Sequence, residues 1–161
     1  MKSIPLLALV VLTLNNLDIT AHHNESPLDG INASKLEIFN PSAPKPIGTF
    51  SEAIKVGNTV YLSGQIGFDA GANKLVNDSF EAQAEQVFGN LRAVAEASGG
   101  TVDNIVKLTV FITDFKNLPT INKVMERVFK QPFPARSSIG VASLAFGADI
   151  EVEGILQLTE T

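Results

Sequence analysis

Two predicted strands near the carboxyl end of the sequence carry charged side chains that are candidates for ligand binding and acid/base catalysis. Arg136 opens one strand, directly after the Phe-Pro-Ala of residues 133–135, and Glu151 and Glu153 alternate with apolar residues on the other. A guanidinium and a carboxylate in half-buried strand positions each need a partner, because an unpaired buried charge is strongly destabilising. They could pair only with each other. Alternatively, they could hold a small carboxylate-bearing ligand, with Arg136 as a bidentate clamp and Glu151 as the acid/base.

The composition of the chain narrows the chemistry that is available. The chain has 161 residues, 45% of them hydrophobic and 18% charged, which is ordinary for one globular domain with an N-terminal addition. Its net charge of −5 and the lack of a basic run argue against nucleic-acid binding, which needs clustered Lys and Arg. It has no cysteine, and its two histidines, His22 and His23, lie outside every periodic segment. We therefore expect no thiol nucleophile, no histidine triad, no metal and no cofactor in the domain.

The N-terminal part of the sequence differs from the remainder. Residues 1–21 are interpreted as a signal peptide, because Lys2 gives a positive end and residues 4–14 form an apolar run too short to span a membrane. An uncleaved anchor or a disordered extension is the alternative. Residues 22–34 are polar and without periodicity, which indicates a linker. We predict a periplasmic or secreted protein that is not stably inserted in a membrane after cleavage. A cytoplasmic location is the alternative. The domain is expected to cover residues 35–161.

The elements that must position the charged side chains follow from hydrophobic periodicity. In chain order they are strands over 35–39, 50–56 and 59–63, a loop over 68–77, a helix from Asp78, a strand over 105–113, a helix from Asn117, and strands over 135–141 and 149–158. Asp78 and Glu81 have the spacing of a capping box, and Gly57-Asn58 suits a hairpin turn that needs positive φ. Two amphipathic helices are then expected to cover one face of a mixed sheet.

The two faces of the predicted sheet differ in character. On the strand over 105–113, the side chains predicted to face the core are Val106, Leu108, Val110 and Ile112. On the last strand, Glu151 and Glu153 share the face opposite the core. That opposite face, which also carries Thr109 and Phe111, is neither polar enough for open solvent nor apolar enough for a core. We therefore expect it to contact another subunit.

Five segments carry a resemblance to a known family. They are residues 47–53, 60–66, 109–114, 133–137 and 150–153, in this order and spacing. By these motifs, the chain from about residue 35 to residue 157 resembles the RidA (YjgF) family. The resemblance implies an α+β, chorismate-mutase-like fold with a mixed six-stranded sheet and two helices on one face. It also implies a homotrimer with sites in the clefts between subunits.

The resemblance further implies an activity and a set of site residues. The family hydrolyses reactive 2-imino or enamine acids, such as 2-iminopropanoate and 2-iminobutanoate, to 2-oxo acids and ammonia. By correspondence, Arg136 would clamp the carboxylate of this small-molecule substrate, and Glu151 would position or activate the water. The other residues expected at the cleft are Phe50, Gly64, Ile66, Asn122 and Ser138.

The chain departs from the family pattern at three places. Phe50 stands where the deaminases commonly have a tyrosine, and Ser138 stands where a cysteine is frequent. Within residues 139–145, a glutamate and a proline of the usual pattern are missing. Arg136 and Glu151 are both present, so imine hydrolysis is the predicted function. A non-catalytic binder of small carboxylates or a chaperone-like trimer is the alternative. Endoribonuclease activity, which is attributed to some relatives, is the least favoured because of the acidic charge.

Overall fold

The chain forms eight strands and two α-helices in residues 34–40 and 48–159, the part that the computed structural model describes. The predicted signal peptide, and the predicted linker up to residue 33, lie outside these residues. None of the helices in the described part has the length and apolar composition that crossing a membrane requires.

The bounds of the elements agree with most of the predicted ones. The strands are β1 (Leu36–Ile38), β2 (Ala53–Val56), β3 (Thr59–Ile66), β4 (Phe68–Asp69), β5 (Lys74–Leu75), β6 (Ile105–Ile112), β7 (Ala135–Gly140) and β8 (Ile150–Gln157), and the helices are α1 (Phe80–Ala97) and α2 (Leu118–Val128). Gly57 has a φ of 57° in the turn between β2 and β3, as the hairpin prediction requires. The prediction of a plain loop over 68–77 is wrong, because β4 and β5 pair there as a small hairpin.

Six of the strands form one sheet in the order β1-β2-β3-β8-β6-β7. The pair β6–β7 is parallel and the other pairs are antiparallel. α1 connects β3 to β6 and α2 connects β6 to β7, and the last strand, β8, inserts between β3 and β6. The mixed six-stranded sheet with two helices on one face is therefore confirmed.

The core lies between the helices and one face of the sheet. Its fully buried side chains include Phe88 and Leu91 from α1, Ile121 and Val124 from α2, and Val60, Leu108, Val110, Ile112, Ile150, Val152 and Leu156 from the sheet. The expectation that Val106 faces this core is wrong. A bulge between Ile105 and Lys107 shifts the register against β8, so Ile105 is buried and Val106 is half exposed.

The start of α1 differs from the predicted capping box. Ser79, and not Asp78, is the N-cap, and its hydroxyl accepts a hydrogen bond of 3.1 Å from the backbone N–H of Ala82. A serine in extended conformation can satisfy one of the unpaired N–H groups of the first turn. Because Ser79 fills that role, the helix begins at Phe80, and the capping box of Asp78 with Glu81 is wrong.

Candidate active site

Arg136 lies on the edge strand β7, on the side of the sheet that the helices cover. Its cross-strand partner in β6 is Leu108, which is fully buried in the core, and paired residues project to the same face. The Nη1 of Arg136 donates hydrogen bonds to Oδ1 of Asn122 at 2.8 Å and to Sδ of Met125 at 3.2 Å. Both partners are on α2, so this helix fixes the direction of the guanidinium.

A cavity of about 390 Å³ opens beside the guanidinium. It is lined by Asn122, Met125, Glu126, Phe133, Pro134 and Arg136. In residues 34–40 and 48–159, Arg136 forms no ion pair, and only its Nη1 donates a hydrogen bond. An arginine has five N–H donors in a fork that matches a carboxylate. The remaining donors of Arg136 are therefore available to a small anion in the cavity.

Ser138 lies on the same face as Arg136, two residues further along β7. Its cross-strand partner is the buried Val110. The Oγ of Ser138 is buried and has no hydrogen-bond partner among the described residues. Of the residues expected at the cleft, Asn122 and Ser138 thus lie on the arginine side of the sheet, and Asn122 contacts Arg136 directly.

Glu151 lies on the opposite face, in the central strand β8. Its neighbours along the strand, Ile150 and Val152, are fully buried in the core, so the side chain of Glu151 points away from the helices. Its cross-strand partners are Ile66 in β3 and Phe111 in β6. The predicted alternation that places Glu151 and Glu153 together on this open face is confirmed.

Gly64 leaves the space that the carboxylate of Glu151 occupies. A Cβ at position 64 would overlap Oε1 of Glu151 and lie 2.8 Å from its Cδ. The register of β3 against β8 shifts between Leu62 and Gln65, so Gly64 sits in an irregular part of the strand. Any larger residue there would displace the carboxylate.

The surroundings of Glu151 raise its pKa above the ordinary value. Burial of the carboxylate is the larger cause, because desolvation disfavours the charged form, and the like charge of Glu153 is the smaller one. A glutamate with a raised pKa holds and releases a proton closer to neutral pH than a free glutamate does. Glu151 is therefore suited to an acid/base role.

Phe50 precedes the segment that runs alongside Gly64. Ser63 donates a hydrogen bond of 2.6 Å from its hydroxyl to the carbonyl of Ser51, and the N–H of Ser63 bonds to the carbonyl of Glu52. Phe50 comes one residue before this contact, and about half of its surface is exposed. The structure thus brings Gly64 and Ile66 to the Glu151 side of the sheet, and it places Phe50 next in the chain to the segment that bonds to Ser63.

Arg136 and Glu151 do not meet within one chain. They are on opposite faces of the sheet, and β6 separates their two strands. The interpretation that the two charges pair only with each other is therefore wrong, because the partner of Arg136 is the amide of Asn122. We call the residues around each charge the arginine half-site (Asn122, Met125, Glu126, Phe133, Pro134, Arg136) and the glutamate half-site (Gly64, Ile66, Phe111, Glu151).

Sequence reasoning missed residues that line the arginine half-site and residues that support the backbone of the glutamate half-site. Met125 and Glu126 line the arginine half-site, and Glu126 could have been found because it lies one helical turn after Asn122. Gln83 and Asn90 on α1 were also missed, although both hold the backbone near the glutamate half-site. Their signal in the sequence is weak, because an amide in a helical pattern gives no indication that it is buried.

Three comparisons with known proteins agree with one another. A family model described as endoribonuclease L-PSP matches residues 40–157. A relative from Dermatophagoides farinae, named 2-iminobutanoate/2-iminopropanoate deaminase, is 49% identical over 119 residues, which are 74% of this chain and 93% of the relative. A relative of the same name from Homo sapiens is 37% identical over 118 residues, 73% of this chain and 86% of the relative.

Solved structures agree with the fold as well as with the sequence. The crystal structure of RidA from the Antarctic bacterium Psychrobacter aligns with a TM-score of 0.73 and 44% sequence identity. The alignment covers 76% of this chain and 99% of that one. At this identity the likeness extends beyond the arrangement of strands and helices to the sequence that builds them.

Proposed function

Because the chain belongs to the RidA (YjgF) family, whose matching model is described as endoribonuclease L-PSP, we propose that it hydrolyses small 2-imino or enamine acids to 2-oxo acids and ammonia. The names of the two relatives support 2-iminopropanoate and 2-iminobutanoate as substrates. The observation that carries the proposal is a guanidinium with free donors beside a cavity, since every substrate of this class has a carboxylate.

In the proposed mechanism, Arg136 binds the substrate carboxylate through the donors that Asn122 leaves free. The hydrogen bond from Nη1 to Asn122 holds the guanidinium plane, so the fork is oriented before the substrate arrives. Met125 and Phe133 give the cavity apolar walls that suit the short alkyl group of such substrates. This half of the site supplies binding and orientation.

Glu151 then handles the water in two steps. It takes a proton from water as the oxygen attacks the carbon of the protonated imine, which forms the C–O bond and gives a carbinolamine. It next returns the proton to the nitrogen and takes the proton of the carbinolamine hydroxyl as the C–N bond breaks, so that the 2-oxo acid and ammonia form. Ammonia accepts this proton as it leaves, which regenerates the carboxylate of Glu151. The raised pKa of Glu151 supports both roles, because the same group must accept and donate near neutral pH.

Both half-sites can act on one substrate only if two copies of the chain meet. Arg136 and Glu151 lie on opposite faces in one chain, so we propose a homotrimer in which one copy supplies the arginine half-site and its neighbour the glutamate half-site. The open face carries exposed apolar side chains, with Tyr61 exposed by 51% and Ile139 by 44%. Surfaces of this kind are suited to contact with another subunit.

The test is the release of 2-oxo acid from freshly generated 2-iminopropanoate. Wild-type protein should accelerate release over buffer, and Arg136→Ala should reduce the rate to that of buffer. Arg127→Ala is the matched control, because Arg127 bonds to Glu81 and Glu85 on the surface and should leave the rate unchanged. A wild-type rate equal to that of buffer would exclude the proposed activity.

A second candidate function is favoured by Phe50, which lacks the hydroxyl of the tyrosine common in the deaminases. Without that hydroxyl, the protein could bind small carboxylates and not turn substrates over. Calorimetry with pyruvate tests this alternative: saturable binding together with no acceleration of imine hydrolysis would support it. Suppression of aggregation of a denatured client, in the absence of both, would support the chaperone-like alternative instead.

The description of the family names an endoribonuclease, and the composition bears on it. The chain has 12 Lys and Arg against 17 Asp and Glu, and Arg127 and Lys130 already form ion pairs. Contacts to phosphates need clustered cations, so we keep imine hydrolysis as the proposal. RNA cleavage that stays with the protein through ion-exchange chromatography, and that is absent from Arg136→Ala, would overturn the preference for imine hydrolysis.

On its sequence alone, we propose that the N-terminal extension is a signal peptide that directs export of the protein. The apolar run in residues 4–14 supports a signal peptide. The intact mass of the protein, purified from the organism that makes it, should correspond to a chain that starts near residue 22. A mass that includes residues 1–21 would exclude cleavage.

A further inference from the structure

Two amide side chains of α1 point toward the sheet, on the face opposite the glutamate half-site. Gln83 is only 2% exposed, and Asn90 follows seven residues later. Seven residues are two turns of a helix, so both amides lie on the same side of α1. The mechanism proposed above uses neither of them.

Gln83 connects the loop after β5 to the start of β8. Its Nε2 donates to the carbonyl of Val76 at 2.9 Å. Its Oε1 accepts hydrogen bonds from the backbone N–H groups of Asp149 at 2.7 Å and Ile150 at 3.3 Å. The residue that follows Ile150 is Glu151, so the amide fixes the backbone from which the carboxylate projects.

Asn90 holds the other side of the same strand pair. Its Nδ2 donates to the carbonyl of Ile66 and to the carbonyl of Phe68, both at 2.9 Å. Its Oδ1 accepts a hydrogen bond of 2.8 Å from Nε2 of Gln86, which orients the amide. Ile66 is the cross-strand partner of Glu151, so Asn90 fixes the end of β3 opposite the carboxylate.

The close approach of the backbone at Gly67 shows how tightly α1 packs here. A Cβ at Gly67 would lie 2.5 Å from Cγ of Gln83 and 2.7 Å from its backbone oxygen. The backbone between β3 and β4 therefore rests directly on Gln83, with no room for a side chain between them. At the far side of β8, Thr113 bonds to the carboxylate of Asp149 at 3.1 Å and completes the fixation of this strand end.

We infer that Gln83 and Asn90 are positioning residues, which set the place of Glu151 relative to the substrate by holding the start of β8 and the end of β3 in register. The inference rests on the function proposed above, because it assigns Glu151 a place at the reacting carbon. It adds two residues that touch neither substrate nor water and act only through the backbone. A displacement of about 1 Å at a catalytic group can lower a rate by about a hundredfold.

A purely structural role for the amides would give a different result. Buried amides that only satisfy backbone groups affect folding, and their loss would lower the melting temperature and leave the kinetics of the folded protein unchanged. Positioning predicts a loss in kcat with KM little changed, since the arginine half-site is built on α2 and β7. It also predicts a shift in the pH dependence of kcat.

The first experiment is Gln83→Met, which keeps the length of the side chain and removes its hydrogen bonds. We expect kcat for 2-iminopropanoate to fall about tenfold to a hundredfold, with KM changed by less than about threefold. The pH at which kcat reaches half of its maximum should fall, because a looser Glu151 is better hydrated and ionises more easily. Among the described residues, the titratable side chains on the same face of the sheet are Glu153 on β8, Lys107 on β6, Tyr61 on β3 and Glu37 on β1, and none of them is changed.

Gln157→Met is the matched control, because Gln157 is at the other end of β8 and, among the described residues, its side chain accepts a hydrogen bond only from the hydroxyl of Thr59. It should keep the kcat and the pH profile of the wild type. Asn90→Leu tests the second amide and should show the same pattern as Gln83→Met. It also keeps the inference testable if Gln83→Met does not fold.

The outcomes separate this inference from the function on which it rests. An active wild type with Gln83→Met and Asn90→Leu at wild-type kcat, or with losses only in melting temperature, would overturn the inference alone. A wild type that does not accelerate imine hydrolysis would overturn the proposed function, and the inference with it. Loss of kcat in both variants but not in Gln157→Met supports the inference.

Discussion

The two half-sites are built from opposite parts of the sheet. The arginine half-site uses the edge strand β7 and the helix α2, and its side chains are largely exposed around an open cavity. The glutamate half-site uses the central strand β8, where neighbours on both sides and α1 behind it fix the backbone. The arginine half-site is therefore accessible to solvent, whereas the backbone of the glutamate half-site is fixed by its neighbours.

The difference suits the two tasks that we assign to them. A guanidinium stays charged at any relevant pH, so it can work at a hydrated edge where a second copy of the chain can approach. Partial burial in the centre of the sheet is the larger cause of the raised pKa of the Glu151 carboxylate.

Replacing the carboxylate should have the largest effect. Glu151→Gln should lower kcat by about 10²–10⁴-fold with little change in KM, because the variant loses acid/base catalysis and keeps the clamp. Glu153→Gln is the control on the same face, and its loss should be less than about tenfold, since it changes only the charge near Glu151. Steady-state kinetics with 2-iminopropanoate measure both. Equal losses of kcat in the two variants would mean that Glu151 has no catalytic role distinct from that of Glu153.

Mixing two inactive variants tests whether the half-sites come from different copies. Arg136→Ala retains the glutamate half-site, and Glu151→Gln retains the arginine half-site. After joint unfolding and refolding at equal amounts, random assembly should restore about one quarter of the wild-type rate, because one in four subunit pairs joins two intact half-sites. Each variant refolded alone is the control. A mixture no more active than its parts would contradict the proposal that the two half-sites of one active site come from different copies.

Filling the space beside the carboxylate should have a smaller effect. Gly64→Ala should lower kcat by about tenfold, because the added Cβ overlaps the Glu151 carboxylate and moves it. The melting temperature should change little, since the atom that must move is the end of a flexible side chain. Gly89→Ala is the control: nothing lies within 4 Å of its Cβ, and alanine in a helix should add about 0.5–1 kcal/mol of stability. A Gly64→Ala enzyme with the wild-type kcat would contradict the close packing.

The smallest expected effect is on how the free energy of unfolding depends on pH. The pKa of Glu151 is raised in the folded protein, so the proton stabilises the fold below the ordinary value of 4.5, and this stabilisation is lost as pH rises through the raised pKa. At pH 7, Glu151→Gln should therefore be more stable than the wild type, by roughly a few tenths of a kcal/mol because the group is partly exposed. Urea unfolding at pH 7 and pH 4 measures the difference, which should nearly vanish at pH 4. A Gln variant less stable at pH 7 would contradict the raised pKa.

The fold could be predicted from the sequence to a large extent. Both helices follow from apolar spacing, and the alternation in β8 places Glu151 and Glu153 on the open face. Local detail was harder: Ser79 rather than Asp78 caps α1, and a bulge turns Val106 outward. Such choices depend on competition between neighbouring residues, which periodicity does not resolve.

Residue types and their spacing are enough to tell which residues are charged, which faces of the strands are apolar, and, through the motifs, to which family the chain belongs. The place of the last strand in the sheet, in contrast, depends on the folded arrangement of the whole domain. β8 enters the sheet between β3 and β6, which puts Glu151 in the centre and leaves Arg136 at the edge, on the other face. Strand order depends on contacts between residues far apart in the chain, and no local pattern encodes these. The register of those contacts therefore determines that the clamp and the carboxylate cannot meet within one chain.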